Sequence, residues 1–338
     1  MSRITVHDVT LRDGNHAVAH QLSVEQIMSY AKAANAAGVP IVEVGHGNGL
    51  GASSLQVGLS AIDDERMLTA AKSCLTTSKL AIHDMPGFAT IKRDLGKSLE
   101  LGVDVVRVAS HCTEADITQR HISFVREKGK EAIGALMMSH MASPDVLVVE
   151  AQKMESYGAE GVVIYDSAGA YLPAQVKERI ALLVGKLNIP VGFHAHNNLG
   201  MGIANAMAAV EAGATIIDGA ARGFGAGAGN AQIEVAVAVL EKSGYSTGID
   251  LYKLLDAADV AEKDLMKEIP RIRSLSVVSG MAGVFSGFSK PVERISKEYQ
   301  VDPRDVFFEL GRRQVVGGQE DIIIEVAAEL ASKGRGAR

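Results

Sequence analysis

The stretch Ala212-Gly213-Ala214-Thr215-Ile216-Ile217-Asp218-Gly219-Ala220 joins a helix-ending glycine directly to a short apolar run. The same junction recurs at Ala37-Gly38-Val39, Leu101-Gly102-Val103 and Tyr157-Gly158-Ala159, each ahead of an apolar run of strand length. Glycine suits this place because the left-handed conformation that ends a helix costs it no Cβ strain. The four glycines are spaced by 64, 56 and 55 residues, as a (βα)₂ unit used four times requires. Strands are predicted near 4–9, 41–46, 79–83, 104–109, 132–138, 161–166, 190–195 and 215–220, with helix-period segments between them. Ser23-Val24-Glu25-Gln26 has the form of a helix N-terminus. Eight strands, each followed by a helix, predict an α/β chain folded as a (β/α)₈ TIM barrel. An open doubly wound sheet is the competing architecture.

Beyond the eighth strand the pattern changes. Residues 251–338 read as a small helical C-terminal domain without strand signals, and residues 1–250 as the catalytic barrel domain. Ser289-Lys290-Pro291, Val301-Asp302-Pro303 and Gly317-Gly318 are expected breaks between short helices. The helical part is expected to cover the barrel mouth or to carry a partner or subunit contact.

Composition narrows the function. The 338 residues are 47% hydrophobic and only 4% aromatic, with 35 glycines, which suits buried parallel strands covered by helices. The net charge of −6 argues against nucleic acid as a partner. The basic run Lys333-Gly334-Arg335-Gly336-Ala337-Arg338 reads as a solvated tail. Two cysteines, Cys74 and Cys112, cannot form a disulfide framework, so a cytoplasmic location is expected. Neither a signal-peptide pattern nor an apolar run of about 18 residues is found, so no membrane association is expected.

The active site of such a barrel lies at the C-terminal strand ends. The first strand leads into Thr10-Leu11-Arg12-Asp13-Gly14-Asn15-His16, and the seventh into Phe193-His194-Ala195-His196-Asn197-Asn198. Residues two apart in a strand point the same way, so His194 and His196 can reach one ion. Asp13, from another strand end, would complete a His₂-carboxylate site with open positions for a chelating substrate. Two histidines at a strand end can equally be satisfied polar residues without a metal.

The run Asp8-Val9-Thr10-Leu11-Arg12-Asp13-Gly14, taken with His194-Ala195-His196-Asn197, resembles the superfamily of 3-hydroxy-3-methylglutaryl-CoA lyase and isopropylmalate synthase. Within it the chain resembles the 4-hydroxy-2-oxovalerate aldolase family over essentially its whole length. His111-Cys112-Thr113-Glu114-Ala115-Asp116, Met137-Met138-Ser139-His140-Met141, Gly225-Ala226-Gly227-Ala228-Gly229-Asn230-Ala231 and Val316-Gly317-Gly318-Gln319-Glu320-Asp321 carry that likeness.

The resemblance implies reversible, divalent-metal-dependent (class II) cleavage of 4-hydroxy-2-oxovalerate, or a related 4-hydroxy-2-oxo acid, to pyruvate and an aldehyde, acetaldehyde for the parent substrate. It implies Asp13, His194 and His196 as ligands of Mn²⁺, with Mg²⁺, Co²⁺ or Zn²⁺ as other occupants. Arg12 matches the residue that steadies the enolate oxygen, His16 the catalytic base, and Ser167 a position near the substrate carboxylate. Asn230 matches an extra ligand of the wider superfamily. An acylating aldehyde dehydrogenase is the implied partner, in a hetero-oligomer or beside a homo-oligomer. The same platform serves acyl-CoA-dependent Claisen-type lyases and synthases, although no feature of this chain specifies a CoA site. A non-catalytic barrel subunit is the third reading.

Two positions depart from the family pattern. Phe285 stands where relatives carry a tyrosine, so a role for that hydroxyl is lost, moved or given to water. His83 and Asp84 replace leucines that shape the aldehyde pocket. Either they face solvent or each other, or they shift the preference towards larger or more polar aldehydes. Glu43 is expected to support the site or form a structural ion pair. Met137, Met138 and Met141 are expected to pack in the core, and Cys112 to be a buried small residue. The glycine-rich runs 45–51 and 223–229 do not fit the dinucleotide pattern and read as barrel-mouth loops.

Overall fold

The computed structural model describes residues 2–334. From residue 335 onward, the tail expected to be solvated lies outside them. Among the described residues eight parallel strands close into a barrel in sequence order. They are β1 (Thr5–Leu11), β2 (Ile41–Val44), β3 (Lys79–Asp84), β4 (Val105–His111), β5 (Glu131–Met137), β6 (Val162–Asp166), β7 (Val191–Ala195) and β8 (Ile216–Gly219). The helices of the barrel are α1 (Val24–Ala36), α2 (Asp64–Cys74), α3 (Gly96–Glu100), α4 (Gln119–Glu127), α5 (Pro144–Ser156), α6 (Pro173–Val184), α7 (Gly202–Glu211) and α8 (Ile233–Lys242). The predicted capping box forms: Gln26 N donates to Ser23 Oγ, and the Gln26 side chain accepts from Ser23 N. Gly38, Gly102, Gly158 and Gly213 adopt φ of 76°, 97°, 103° and 104°, the conformation the repeated junction needs.

Strand periodicity divides the barrel into two apolar layers. Val42, Val44, Leu80, Ile82, Val106, Val108, Val162, Ile164, Phe193 and Ile217 face outward into the helix-covered core. Their neighbours Ile41, Ala81, Val105, Ile133, Val163 and Ile216 form a separate cluster inside the barrel. By the same alternation Glu43, His83, Arg107, His194 and Asp218 share the inner parity. The polar centre of the barrel therefore rests on an apolar floor.

One irregularity matters for function. The pairing of β1 with β2 slips between Asp8 and Leu11, so one extra residue lies on β1. The chain then enters a 3₁₀ turn at Asp13–His16. Bulge and turn together interrupt the alternation just before Arg12 and Asp13.

The C-terminal helices are α9 (Leu251–Val260), α10 (Ser274–Ala282), α11 (Ser289–Tyr299), α12 (Pro303–Arg312) and α13 (Asp321–Ser332). Leu254, Ala257 and Ala258 of α9, with Ala261 and Leu265 of the π-helical turn after it, belong to the barrel core. A second core, including Val284, Phe288, Val306, Phe307, Ile323 and Val326, begins only further along. Ser289-Lys290-Pro291 is a helix start rather than a break. Pro291 occupies the first turn of α11, where its missing N–H would have had no intrahelical partner. Asp302 and Pro303 do separate two helices, with the Asp302 side chain accepting from Arg304 N as the cap of α12.

Candidate active site

β7 places His194 next to its last residue, and His196 follows the strand with a bridge to Asn230. Their Nε2 atoms are 3.4 Å apart. Asp13 joins them, so that one ligand atom from each of the three buried residues lies within 4.8 Å of the others. His194 Nδ1 donates to Asp218 Oδ2 at 2.8 Å, which turns its Nε2 towards His196. His196 Nδ1 is buried and unpartnered among the described residues. Two converging imidazoles beside a carboxylate, one imidazole oriented by an outer carboxylate, fit a divalent cation. Burial would raise the Asp13 pKa, but the charges of His196 and Arg12 outweigh it and hold the carboxyl well below its usual range. Burial lowers His196 to about 4, with the Asp13 charge acting in the opposite sense.

Asn230 Nδ2 donates to Asp13 Oδ2 at 2.6 Å and to the Phe224 carbonyl at 2.9 Å. It thus orients the carboxylate, while its own Oδ1 is buried without a partner among the described residues. Gly225 packs directly against these two side chains; a Cβ there would collide with Asn230 Nδ2 and Asp13 Oδ2.

Arg12 donates from Nε to Glu43 Oε1 at 2.6 Å and from Nη1 to Asp13 Oδ1 at 3.0 Å. Nη1 also reaches the Gly47 carbonyl at 3.2 Å. Among the described residues its Nη2 is buried and unpartnered, an oriented donor without an acceptor. Glu43 takes both expected parts, since its other oxygen lies 2.9 Å from Arg107 Nε. Burial opposes its ionisation, but Arg107 and Arg12 hold its pKa at about 2.

His16 closes the 3₁₀ turn, with its ring against Gly47, where a Cβ would approach Nε2 to 2.6 Å. Burial lowers its pKa, with the Asp13 charge acting in the opposite sense. Two histidines that the sequence reading passed over stand behind it. His20 meets His16 edge-on at 5.1 Å and stacks on His46 at 3.6 Å. Burial depresses His20 to about 3 and His46 to about 4. The C-terminal segment also arrives here. Phe285 meets His16 edge-on at 6.5 Å, and Lys290 Nζ donates to the His16 and Ala17 carbonyls.

Ser167 is buried beyond β6; its Oγ accepts from Met138 N at 3.0 Å, and its carbonyl accepts from Ser286 N. His83 and Asp84 face neither solvent nor each other. Asp84 has the outward parity and pairs with His121 Nδ1 at 2.6 Å. His83 has the inward parity, is 2% exposed, and keeps an Nδ1 that is unpartnered among the described residues. Burial, with Arg12 nearby, lowers its pKa to about 3. Cys112 is buried, and its thiol is pushed up to about 12 by that burial, which suits a packing residue.

Residues 3–261 match the HMGL-like family. The chain belongs to that family. Residues 270–332 match the DmpG-like communication domain, so this HMGL-like barrel carries a second family module at its C-terminus. A 4-hydroxy-2-oxovalerate aldolase of Spirochaeta aurantia is 64% identical over 331 residues, spanning 98% of this chain and 97% of the relative. One of Pectobacterium atrosepticum is also 64% identical, spanning 98% and 96%. Among solved structures, the carboxyl transferase domain of Rhizobium etli pyruvate carboxylase superposes with a TM-score of 0.81 at 17% identity. That match covers 99% of this chain and 61% of the other, and it bears on the fold alone. The HMGL-like assignment makes this a divalent-metal-dependent barrel. Among the described residues no helix is long and apolar enough to cross a membrane.

Proposed function

We propose that the chain cleaves 4-hydroxy-2-oxovalerate, or a close 4-hydroxy-2-oxo acid, reversibly to pyruvate and an aldehyde, acetaldehyde for the parent substrate. The observation that carries this is the convergence of the Asp13, His194 and His196 ligand atoms beside the buried Arg12 Nη2, with His16 in the same turn as Asp13. The full-length relatives named for this activity support it over an acyl-CoA reaction or a non-catalytic barrel.

Asp13, His194 and His196 would hold the cation, and Mn²⁺ is the occupant we propose. Bound there, a divalent cation supplies Lewis acidity to the 2-oxo group and carboxylate of a chelating substrate. Arg12 aims fixed donors at the C2 oxygen as negative charge grows on it. His16 takes the proton of the C4 hydroxyl while the C3–C4 bond breaks and its electrons pass to the enolate. Protonation at C3 then gives pyruvate. Ser167 is assigned to the substrate carboxylate end. Asn230 is assigned to orienting Asp13 rather than to ligation, because its amide nitrogen faces that carboxylate.

The barrel is assigned to catalysis and the helical C-terminal unit to contact with an acylating aldehyde dehydrogenase in a hetero-oligomer. The DmpG-like communication domain match supports that partner. Packing supports a join later than residue 250, since the barrel core runs on to Leu265. A cytoplasmic location goes with this reading.

The test is pyruvate release from 4-hydroxy-2-oxovalerate, coupled to lactate dehydrogenase, with Mn²⁺ and then with chelator. Metal-dependent pyruvate formation that disappears in His16→Ala and Asp13→Ala is the expected result. Metal-loaded protein that releases none from short or polar substrates would overturn the proposal.

A further inference from the structure

Arg107 is fully buried, at the middle of β4, between Val106 and Val108, which face the outer core. Its guanidinium reaches four other strands. Nη1 and Nη2 donate to the two oxygens of Asp218 on β8 at 2.7 and 2.6 Å. Nε lies 2.9 Å from Glu43 Oε2 on β2. Nη1 also donates to His7 Nδ1 on β1 at 3.1 Å, and Nη2 to the Tyr165 hydroxyl on β6.

Each main partner handles a different part of the site. Asp218 accepts from His194 Nδ1 at 2.8 Å, and the Tyr165 ring stacks on His194 at 4.4 Å with 23° between the planes. Arg107 thus fixes His194 both by its ring nitrogen and by its face. Glu43 accepts from Arg12 Nε at 2.6 Å. One cation therefore holds the two carboxylates that aim a proposed metal ligand and a proposed substrate donor.

We infer that Arg107 is a positioning residue that sets the His194 imidazole and the Arg12 guanidinium in one mutual geometry without touching metal or substrate. Only a planar fork meets this demand. It offers two parallel donors to Asp218 and a third nitrogen to Glu43, whereas a lysine ammonium pairs with one carboxylate at a time. A neutral side chain of equal length would leave Asp218 buried without its arginine and Glu43 with Arg12 as its one remaining guanidinium. The inference rests on the proposed roles of His194 and Arg12.

The test uses the full-length protein and two separate readouts: Mn²⁺ affinity by calorimetry on metal-free protein, and KM and kcat for 4-hydroxy-2-oxovalerate at saturating Mn²⁺. Asp218→Asn is expected to weaken Mn²⁺ chiefly, by about 10–100-fold. Glu43→Gln is expected to change the kinetic constants chiefly, with Mn²⁺ affinity held within a fewfold. Arg107→Met is expected to move both readouts, and adding either single substitution to it is expected to cost less than in the wild type. Should Arg107→Met fail to fold, Arg107→Lys carries the test, with both readouts impaired and a thermal melt near that of the wild type. A folded Arg107→Met or Arg107→Lys with Mn²⁺ affinity and kinetic constants within twofold of wild type overturns the inference. Wild-type protein that binds no Mn²⁺ overturns the metal-site reading itself and this inference with it, whereas the first outcome leaves that reading standing.

Discussion

Arg12 Nε lies 2.6 Å from Glu43 Oε1, and this ion pair turns the guanidinium so that Nη2 is buried without an acceptor among the described residues. A buried charged donor left open is costly unless a ligand completes it. Arg12→Lys keeps the charge and loses the oriented fork. The expected outcome is a fall in kcat of about 10²–10³-fold, the usual cost of one oriented transition-state donor. Steady-state kinetics at saturating Mn²⁺ check this, and a change confined to KM would count against a role at the enolate oxygen.

The proton acceptor should show itself in the pH profile. Burial disfavours the imidazolium form of His16, so its pKa lies below the ordinary value of 6.5. The working form is the neutral base; activity is present above that pKa and lost as pH falls through it. At saturating Mn²⁺ the acid limb of kcat/KM is expected below pH 6.5. His16→Ala is expected to lower kcat by about 10²–10⁴-fold and to remove that limb. An unchanged limb in the variant would assign it to another group.

Removal of the metal is expected to abolish pyruvate release, and readdition of Mn²⁺ to restore it. Asp13→Ala and His196→Ala should lose Mn²⁺ affinity beyond the roughly 10–100-fold that loss of an outer hydrogen-bond partner costs. Calorimetric titration of the metal-free variants measures this. Affinity close to that of the wild type in both would place the cation elsewhere.

Gly225 offers a test that adds atoms instead of removing them. Its missing Cβ makes room for Asp13 and Asn230, and an alanine there must push one of them. Gly225→Ala is expected to fold and to lose Mn²⁺ affinity by about tenfold or more. Unaltered metal affinity would show that the Asp13 carboxylate tolerates displacement.

His83 has the inward parity of β3 and, among the described residues, an unpartnered Nδ1, where the resemblance places leucine. A polar ring lining the aldehyde end should favour a hydroxylated or larger acceptor. Comparing kcat/KM for acetaldehyde-, propanal- and glycolaldehyde-derived substrates is the check. His83→Leu is expected to shift the ratio towards acetaldehyde by about tenfold or more. A clear preference of the wild type for the acetaldehyde-derived substrate would end this reading.

Local rules carried much of the molecule. The four glycine junctions needed only the cost of a Cβ in left-handed backbone, and that cost is a property of the residue itself. The two-residue period of a strand already gave His194 and His196 a common side. The same period applied to Leu80-Ala81-Ile82-His83-Asp84 would have separated His83 from Asp84, and the structure bears that out. Arg107 among valines and Asp218 after two isoleucines were visible as charges in apolar strands, but their partners were not. Closure of the barrel decided those partners by bringing β2, β4 and β8 round one axis. The meeting of Arg12, Asp13 and His16 with β7 likewise depended on a slipped register and a 3₁₀ turn. Phe285 and Lys290 reach His16 across more than 260 residues of chain, as the 274-residue separation of the Lys290 contact shows. Sequence by itself determined the elements, their inward faces and the kinds of ligand available, because those depend on steric and periodic constraints within a few residues. Which charges neutralise one another, and which donors are left open for substrate, was decided only when the closed barrel excluded water and brought the charges of separate strands together.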